Sequence, residues 1–575
     1  WKNDYSNSIP ATLKTDSLFQ RGYIIPTLDF QRGILCIHKL LYSGVNVMVV
    51  GDFSTGKYQI AKKALNQLTS SSDLFVSFTL PFNRKTVDSS VFQNSVDQRL
   101  VSMSRNLRKP PGNKSLILSI SDLSTPINDT SNEFEDTPLV LEKLRLLLDK
   151  KMWYAQYRNA YEKINVGNVQ YCCTQESSSY YKLKTRLTRH FNLVFTESWN
   201  SEKISTVLSV ITESYMQQTN HRLKSASKLY VNFVTDIIER CRILFVPSPN
   251  RPHYRFGFYE AMKITDGIFR ISSRSLKYSS SPQKARLAMH ECMRVFEDRM
   301  MLQNDVVKFR NILGSTIIDH FGADLGINKT DNVSEGNLQT KFWPIEIYEK
   351  CELRQKPVLF TDLVGTDGYI EISRLGRAQE VLSECSKKVC DEAVMNGDPV
   401  SDIIPFTFTV NHFLRCARIL SRSREHIIMT GNPSTGKHTV LQLVAQVYRF
   451  KYEEIDIDKL KFNQSWLSTL KSNLLKAANG ERLLLVFRCN DKYDGVFDDL
   501  YCVVKGNNLK SLFDEKTIAS IQEKFREAAI SANTNGDLLD GKMLTESLTD
   551  DDVFNYFEKM ANKNIKVALT TNGTK

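Results

Sequence analysis

The sequence predicts an α/β protein made of two P-loop modules in series, each a parallel sheet flanked by helices, with an α-helical lid between them. Three observations carry this. The pattern G-x-x-x-x-G-K occurs twice, at Gly51, Gly56 and Lys57 and again at Gly431, Gly436 and Lys437. Each copy follows a short apolar, β-branched run and leads into an amphipathic helical pattern. Further apolar runs then recur at similar distances in both halves. Such a pattern is expected about 0.1 times by chance in a chain of this composition, so two copies in matching contexts mark an internal repeat.

In the first module "NVMVV" (46–50) is the strand before the loop, and "YQIAKKALNQL" (58–68) is the helix after it. The runs "KSLILSISDLS" (114–124) and "NVQYCCT" (168–174) supply a second and a third strand. Cys172 and Cys173 fall in the third, where they read as small buried strand residues rather than a redox pair. Residues 201–330 carry helical periodicity almost throughout, as in "ISTVLSVITESYMQQ" and "ARLAMHECMRVFEDRMM", and suit a lid. The polar, Gly- and Asn-rich stretch 322–341 reads as a loop, and 331–400 as a helical connector. In the second module "HIIMT" (426–430), "HTVLQLVAQVYRF" (438–450), "ERLLLVFRCND" (481–491) and "NIKVALTTN" (564–572) repeat the order, with a loop expected at 531–542. Uninterrupted apolar strands alternating with helices indicate a parallel sheet covered on both faces. The boundaries that follow are 1–200, 201–330, 331–400 and 401–575.

Composition limits the function. With 41% hydrophobic and 24% charged residues the chain can bury large cores. Its formal charge of +12 permits an acidic partner, yet the basic residues are scattered, which reads as a solvated positive surface and not as a nucleic-acid site. Eleven Cys without regular spacing or C-x-x-C pairs argue against a disulfide framework or a zinc site and point to a reducing, cytoplasmic compartment. No apolar run approaches the ~18 residues of a membrane span, and no signal peptide is expected. A start at Trp1 and an end just after an apolar strand suggest a piece of something longer.

The chemistry follows from the loops. Strand, glycine loop and helix place backbone N–H groups and a helix N-terminus around a phosphate, so Gly51, Ser54, Thr55, Gly56 and Lys57, and Gly431, Ser434, Thr435, Gly436 and Lys437, are the expected ATP or ADP contacts. A working site also needs a hydroxyl on Mg²⁺ and an acidic pair at the end of a neighbouring strand. Tyr58 and His438 replace the hydroxyl residue. Where tandem acids are expected the first module has Ser121 and Asp122, and the second has Cys489 and Asn490 with Asp491 close by. The expectation is therefore surviving nucleotide binding, Mg²⁺ held weakly if at all, and little or no hydrolysis. Asp52 and Asp122 are the acids available to complete the first site if it is active. Asn572 stands where a polar sensor would, and equally where a turn Asn before Gly573 would. Arg186 and Arg189 are candidates for an arginine finger given to a neighbouring module, or a surface basic cluster. Glu291 and Arg294, at i and i+3, predict a helix salt bridge.

Taken together the segments resemble the dynein heavy chain motor, specifically its third and fourth AAA+ modules. The likeness rests on "TLDFQRGILCIHKLLYSGVNVMVVGDFSTGKY", "SISDLSTPINDT", "LEKLRLLLDKKMWY", "TRLTRHFNLVF", "HYRFGFYEAMKITDGIF", "HECMRVFEDRM" and "HFLRCARILSRSREHIIMTGNPSTGKHTVLQLVAQVYRFKYEEIDI", which span nearly the whole chain. The resemblance implies a ring of about six AAA+ modules that uses ATP mainly at a first module absent here, with a regulatory third module and a fourth leading into a coiled-coil stalk. It implies microtubules as the track, reached through that absent stalk, other AAA+ modules of the same chain as neighbours, and intermediate and light chains bound through absent parts. No membrane or nucleic acid is implied as a partner. It places the phosphate contacts on the two loops and the inter-module arginine on Arg186 or Arg189. Departures are Tyr58, Ser121 and Tyr259, the last standing where a lid arginine is expected. A non-hydroxyl residue after the second loop's Lys resembles axonemal types, which implies the cytoskeleton of a cilium or flagellum. The alternatives are an active AAA+ ATPase module and a non-motor AAA+ remodeller.

Overall fold

The computed structural model describes residues 25–572 apart from 26, 82–88, 124–138, 158–159, 178–182, 220–223, 249, 271–279, 328–344, 352, 354–357, 364–368, 373–374, 397–403, 423–424, 457–462, 490–493, 506–508, 514 and 535–549. The described chain divides into two compact units, one running from Ile25 to Asn200 and the other from Ser201 onward.

The first unit opens with helix α1 (Leu28–Tyr42), which starts where the Thr27 hydroxyl accepts the Phe30 N–H and buries Ile34, Ile37 and Leu41 along one stripe. Strand β1 (Val47–Gly51) is buried throughout and runs into helix α2 (Lys57–Ser71), which buries Ile60, Ala61, Ala64, Leu65 and Leu68. There follow β2 (Phe75–Pro81), β3 (Val101–Ser104), β4 (Leu107–Lys109), β5 (Ser115–Ser121), helix α3 (Leu139–Lys150), β6 (Met152–Tyr157), β7 (Ala160–Val166), β8 (Val169–Glu176) and β9 (Asn192–Thr196). The main sheet has the order β2-β5-β8-β1-β9, with every pair parallel. Alternate residues face opposite ways. Val47, Val49, Ile117 and Cys172 pack toward α1 and α2, whereas Met48, Leu118, Ile120 and Cys173 pack with Leu141 and Leu144 of α3. Cys172 and Cys173 are thus the buried strand residues expected, and burial pushes the Cys172 thiol up to about 12.

Two features of this unit were not legible from the apolar runs. Strand β2 adds to the sheet edge, and a second, four-stranded sheet of order β3-β4-β7-β6 shares a core with the main one through Trp153, Ile164 and Val166. The β3 strand is exposed at every position, so it lacks a continuous hydrophobic run.

The second unit starts with helices α4 (Ser201–Thr219), α5 (Lys224–Leu244), α6 (Phe258–Phe269), α7 (Ser281–Val295) and α8 (Gln303–Leu325). Helix α8 runs through 322–325, part of the stretch read as loop, and stops where Gly326 turns left-handed with φ 69°. The remainder of that stretch described here is short, since 328–341 lies outside the described residues. The segment expected as a helical connector is mixed: β10 (Phe360–Thr361) and β11 (Ile370–Glu371) form an antiparallel pair before helix α9 (Leu375–Asn396). Two residues per strand are too few to leave a period in the sequence.

Helix α10 (Thr407–Leu420), β12 (Ile427–Gly431), helix α11 (Lys437–Val447), β13 (Lys451–Asp456), helix α12 (Asn463–Ala478), β14 (Leu483–Cys489), helix α13 (Glu515–Thr534), helix α14 (Asp550–Asn564) and β15 (Ile565–Asn572) follow in the same unit, with a further helix, Asp494–Lys505, between β14 and α13. Residues 531–534, expected as loop, still belong to α13. The sheet order is β12-β15-β14-β13, again with every pair parallel. Strand for strand it repeats β1-β8-β5-β2. Among the described residues β12 has no partner on its outer side, and Ile428 is 69% exposed, whereas β1 lies between β8 and β9.

Candidate phosphate-binding loops

Each loop is closed by its own side chains. In the first, Lys57 Nζ donates to the Gly51 and Asp52 carbonyls at 2.8 and 2.6 Å, and Thr55 Oγ1 donates to the Asp52 carbonyl at 2.9 Å. In the second, Lys437 Nζ donates to Gly431 and Asn432 at 2.8 and 2.6 Å, and Thr435 Oγ1 to Asn432 at 2.9 Å. The backbone matches too. Ser54 and Gly56 have φ 62° and 81°, and Ser434 and Gly436 have φ 61° and 78°, a left-handed pair that turns successive N–H groups into one concavity. Gly56 and Gly436 directly precede α2 and α11, so the positive ends of both helices face that concavity. An anion, phosphate above all, is what such a loop can hold.

The first loop is braced by residues that sequence reasoning passed over. Trp199 Nε1 donates to the Ser54 carbonyl at 2.8 Å, Thr196 Oγ1 lies 3.1 Å from Thr55 Oγ1, and the Ser177 hydroxyl donates to the Asp52 carboxylate. All three come from strand ends or segments beyond β8 and β9, and only the sheet order brings them to the loop. Asp122 follows β5 with φ 58°, and its N–H donates to Thr174 Oγ1 at 2.8 Å. Ser121 ends β5 opposite Pro81 of β2. Arg186 is exposed within the short helix Thr185–Thr188, and Arg189, at its end, lies 3.5 Å from Asp149.

Around the second loop the structure gathers a different set. His438 Nδ1 lies 3.2 Å from the Tyr452 hydroxyl, its Nε2 3.3 Å from Thr570 Oγ1, and Glu454 stands 3.7 Å away. Arg488, at the end of β14, pairs with Glu454. Cys489 closes β14 opposite Thr571, and Asn572 lies opposite Gly431 in the β12–β15 register. Asn490 and Asp491 lie outside the described residues.

Comparison with known proteins follows the same division. Residues 14–198 match the family described as a P-loop containing dynein motor region, and residues 401–575 match the P-loop containing dynein motor region D4. Together the matches cover more than half of the chain. The chain belongs to the dynein heavy chain motor region.

Its curated dynein relatives are distant in sequence and long. Dynein axonemal heavy chain 6 of Homo sapiens is 22% identical over 559 residues, covering 95% of this chain and 12% of that protein. The dynein-1-beta heavy chain of the flagellar inner arm I1 complex of Chlamydomonas reinhardtii is 22% identical over 515 residues, 88% of this chain and 11% of its own. The ciliary dynein beta chain of Heliocidaris crassispina is 23% identical over 462 residues, 79% and 9% respectively. The chain thus spans about a tenth of the length of the dyneins it matches.

Against a Mg²⁺-nucleotide site, the donors of this dynein segment are unusual. A Mg²⁺ ion takes hard oxygen ligands in near-octahedral geometry. After Lys57 the chain offers a half-buried phenol, and after Lys437 an imidazole whose two nitrogens are both engaged by hydroxyls. Among the described residues no group of three His, Cys, Asp or Glu side chains is placed to hold a metal, and no helix is long and apolar enough to cross a membrane.

One pairing expected in 201–330 is not formed. Glu291 does not pair with Arg294. It contacts Arg418 and Arg422, more than 120 residues on in the same unit, while Arg294 pairs with Asp298 at 3.3 Å. The i, i+3 spacing failed because Glu291 is wholly buried, where a remote cation on a packed helix outweighs a local one. Tyr259 lies at the start of α6 with Lys263 Nζ 4.7 Å from its ring centre, and burial raises its phenol to about 12. It carries no positive charge there.

Proposed function

We propose that this chain is a segment of an ATP-driven, minus-end-directed microtubule motor, and that its two modules are regulatory or structural nucleotide sites rather than the main site of hydrolysis. The observation that carries the reading is the matched pair of loops: the same carbonyl contacts from Lys57 and Lys437 and the same left-handed turns, with the residue after each Lys changed to Tyr58 or His438. The cradle that binds is kept at both sites. The hydroxyl that holds the metal is missing at both.

On this reading residues 1–200 form the third-type large subdomain, 201–330 its helical lid, 331–400 a connector and 401–575 the fourth-type large subdomain. The family description of 401–575 as D4 supports the last of these. ATP or ADP is held by Gly51, Ser54, Thr55, Gly56 and Lys57, and by Gly431, Ser434, Thr435, Gly436 and Lys437. Arg186 or Arg189 reaches a neighbouring module, Asn572 acts as a sensor, and Asp122 is a remnant acid. Axonemal, ciliary and flagellar relatives support a place in the axoneme, with microtubules and other dynein subunits as partners.

Nucleotide titration of the chain with and without Mg²⁺ tests the proposal. Binding of ATP and ADP with negligible turnover is expected. Mg²⁺-dependent ATP turnover abolished by Lys57→Ala would make the first module an active ATPase instead.

A further inference from the structure

The second loop holds an arrangement of protons that the first lacks. Tyr452 donates its hydroxyl to Glu454 Oε2 at 3.3 Å, and Thr570 donates its hydroxyl to the Phe487 carbonyl at 3.0 Å. Each hydroxyl has one proton to give. In that arrangement both turn a lone pair toward His438, one at Nδ1 and the other at Nε2. A ring with a proton on each nitrogen satisfies both contacts and leaves the Tyr452 proton for Glu454, whereas a neutral ring satisfies them only when Tyr452 turns its proton from Glu454 to Nδ1.

The charges around the ring pull in two directions. Those that face it are Lys437 from its own helix, Tyr452 and Glu454 from β13 and Arg488 from β14, while β15 presents the Thr570 hydroxyl. Burial lowers the pKa of His438; Glu454 works to raise it, and Arg488 and Lys437 add to the lowering. Burial and Glu454 push the Tyr452 phenol up, so its proton stays in place. His438 is thus held in a frame that accommodates its cation, with Glu454 3.7 Å away, while burial first and the positive charge of Arg488 and Lys437 second lower its pKa. An anion on the loop, next to Lys437, offsets the charge part of that lowering and favours the cation.

We propose that the second module binds a nucleoside di- or triphosphate without Mg²⁺, with the His438 imidazolium supplying the positive charge beside the phosphates and one proton taken up from solvent on binding. This rests on reading the loop as a nucleotide site. No covalent bond is made or broken; the proton goes onto a ring nitrogen. Tyr58 cannot do the same, because a phenol has no cationic form in this range.

The test uses the full chain carrying Lys57→Ala, which silences the first loop, and ADP as the probe. Calorimetry between about pH 6 and 8, in two buffers of different ionisation heat, gives the proton count. ADP is expected to bind as well in EDTA as in Mg²⁺, with affinity rising by up to about tenfold for each unit that pH falls between the free and bound pKa of the ring. The terminal phosphate of ADP titrates in the same range, so His438→Gln sets its baseline; that variant should lose the extra proton and the steeper pH dependence. His438→Lys, charged throughout, should keep Mg²⁺-independent binding and take up no extra proton. Binding that requires Mg²⁺, or that shows the same proton count as His438→Gln, overturns the inference and leaves the nucleotide site standing. Absence of binding by the second loop, with Lys437→Ala indistinguishable from its parent, overturns both.

Discussion

Glu291 Oε2 lies 2.5 Å from Arg418 Nη2, with the two side chains 0% and 7% exposed. The other oxygen accepts the Tyr369 hydroxyl at 2.7 Å, and Arg422 approaches Oε2 at 3.7 Å. One carboxylate therefore ties helix α7 to α10 within the second unit. Glu291→Ala leaves Arg418 buried with its charge uncompensated, which costs about 3–5 kcal/mol. A fall of that size in denaturant unfolding is expected, and a loss below 1 kcal/mol would mean the pair contributes no more than an exposed one. Burial works to raise the Glu291 pKa, but Arg418, Arg422 and His290 outweigh it and hold the carboxyl at about 2. The folded value lies below the ordinary one of about 4.3, so this stability is present at neutral pH and fades as pH falls from that value toward the folded one.

The histidines of the same unit act in a higher pH window. Burial lowers His290 to about 3 and His426 to about 4, against about 6.5 for an unfolded chain. His426 Nδ1 accepts the Val567 N–H at 3.1 Å, which requires an unprotonated nitrogen, whereas His290 Nδ1 donates to the Val358 carbonyl at 3.1 Å, a contact either form can make. Unfolding lets each take a proton, so stability that is full above the unfolded value is lost as pH drops below it. Each ring should contribute a slope of about 1.4 kcal/mol per pH unit between roughly 6 and 4.5. Denaturation midpoints across that range measure it, and His290→Asn should flatten the curve by about half.

The two loop glycines predict unequal tolerance. A methyl group on Gly51 would stand 1.9 Å from Thr196 Oγ1 and 2.9 Å from the Thr196 carbonyl, whereas one on Gly431 would meet Thr435 Oγ1 at 3.5 Å. The difference comes from β9, which lies against β1 and has no counterpart beside β12 among the described residues. Gly51→Ala should destabilise by about 1–3 kcal/mol through overpacking, and Gly431→Ala by less than half of that. Thermal unfolding of the two variants side by side decides it; equal losses would contradict the packing argument.

How much of this was legible beforehand depends on the range of the interaction. The loops, their helices and the strands β1, β5, β8, β12, β14 and β15 are local, dense in apolar residues, and stand out from the sequence. Strands β3, β10 and β11 are short or exposed and do not. The same holds for side chains. Lys57 and Lys437 act within six residues of their partners. Thr196 reaches Thr55 across 141 residues and Thr570 reaches His438 across 132, joined by sheet register alone. Nothing local in "KYEEID" singles out Glu454; its place beside His438 follows from β13 and α11 meeting at the end of the sheet.

The last prediction concerns what the first loop lacks. If Tyr58 and Ser121 account for weak metal binding, returning a hydroxyl and a carboxylate should restore it, because the cradle around them is intact. Tyr58→Thr supplies the oxygen one residue after Lys57. Ser121→Asp places an acid at the end of β5, beside Asp122, where a tandem pair would stand. The double variant should gain Mg²⁺-dependent ATP affinity of about tenfold or more over the parent, the scale on which metal affinity responds to its supporting groups. The gain should vanish in EDTA and on adding Lys57→Ala. Calorimetry with the second loop silenced by Lys437→Ala isolates the effect, and an unchanged affinity in a folded double variant would show that the metal is excluded by something other than these two residues.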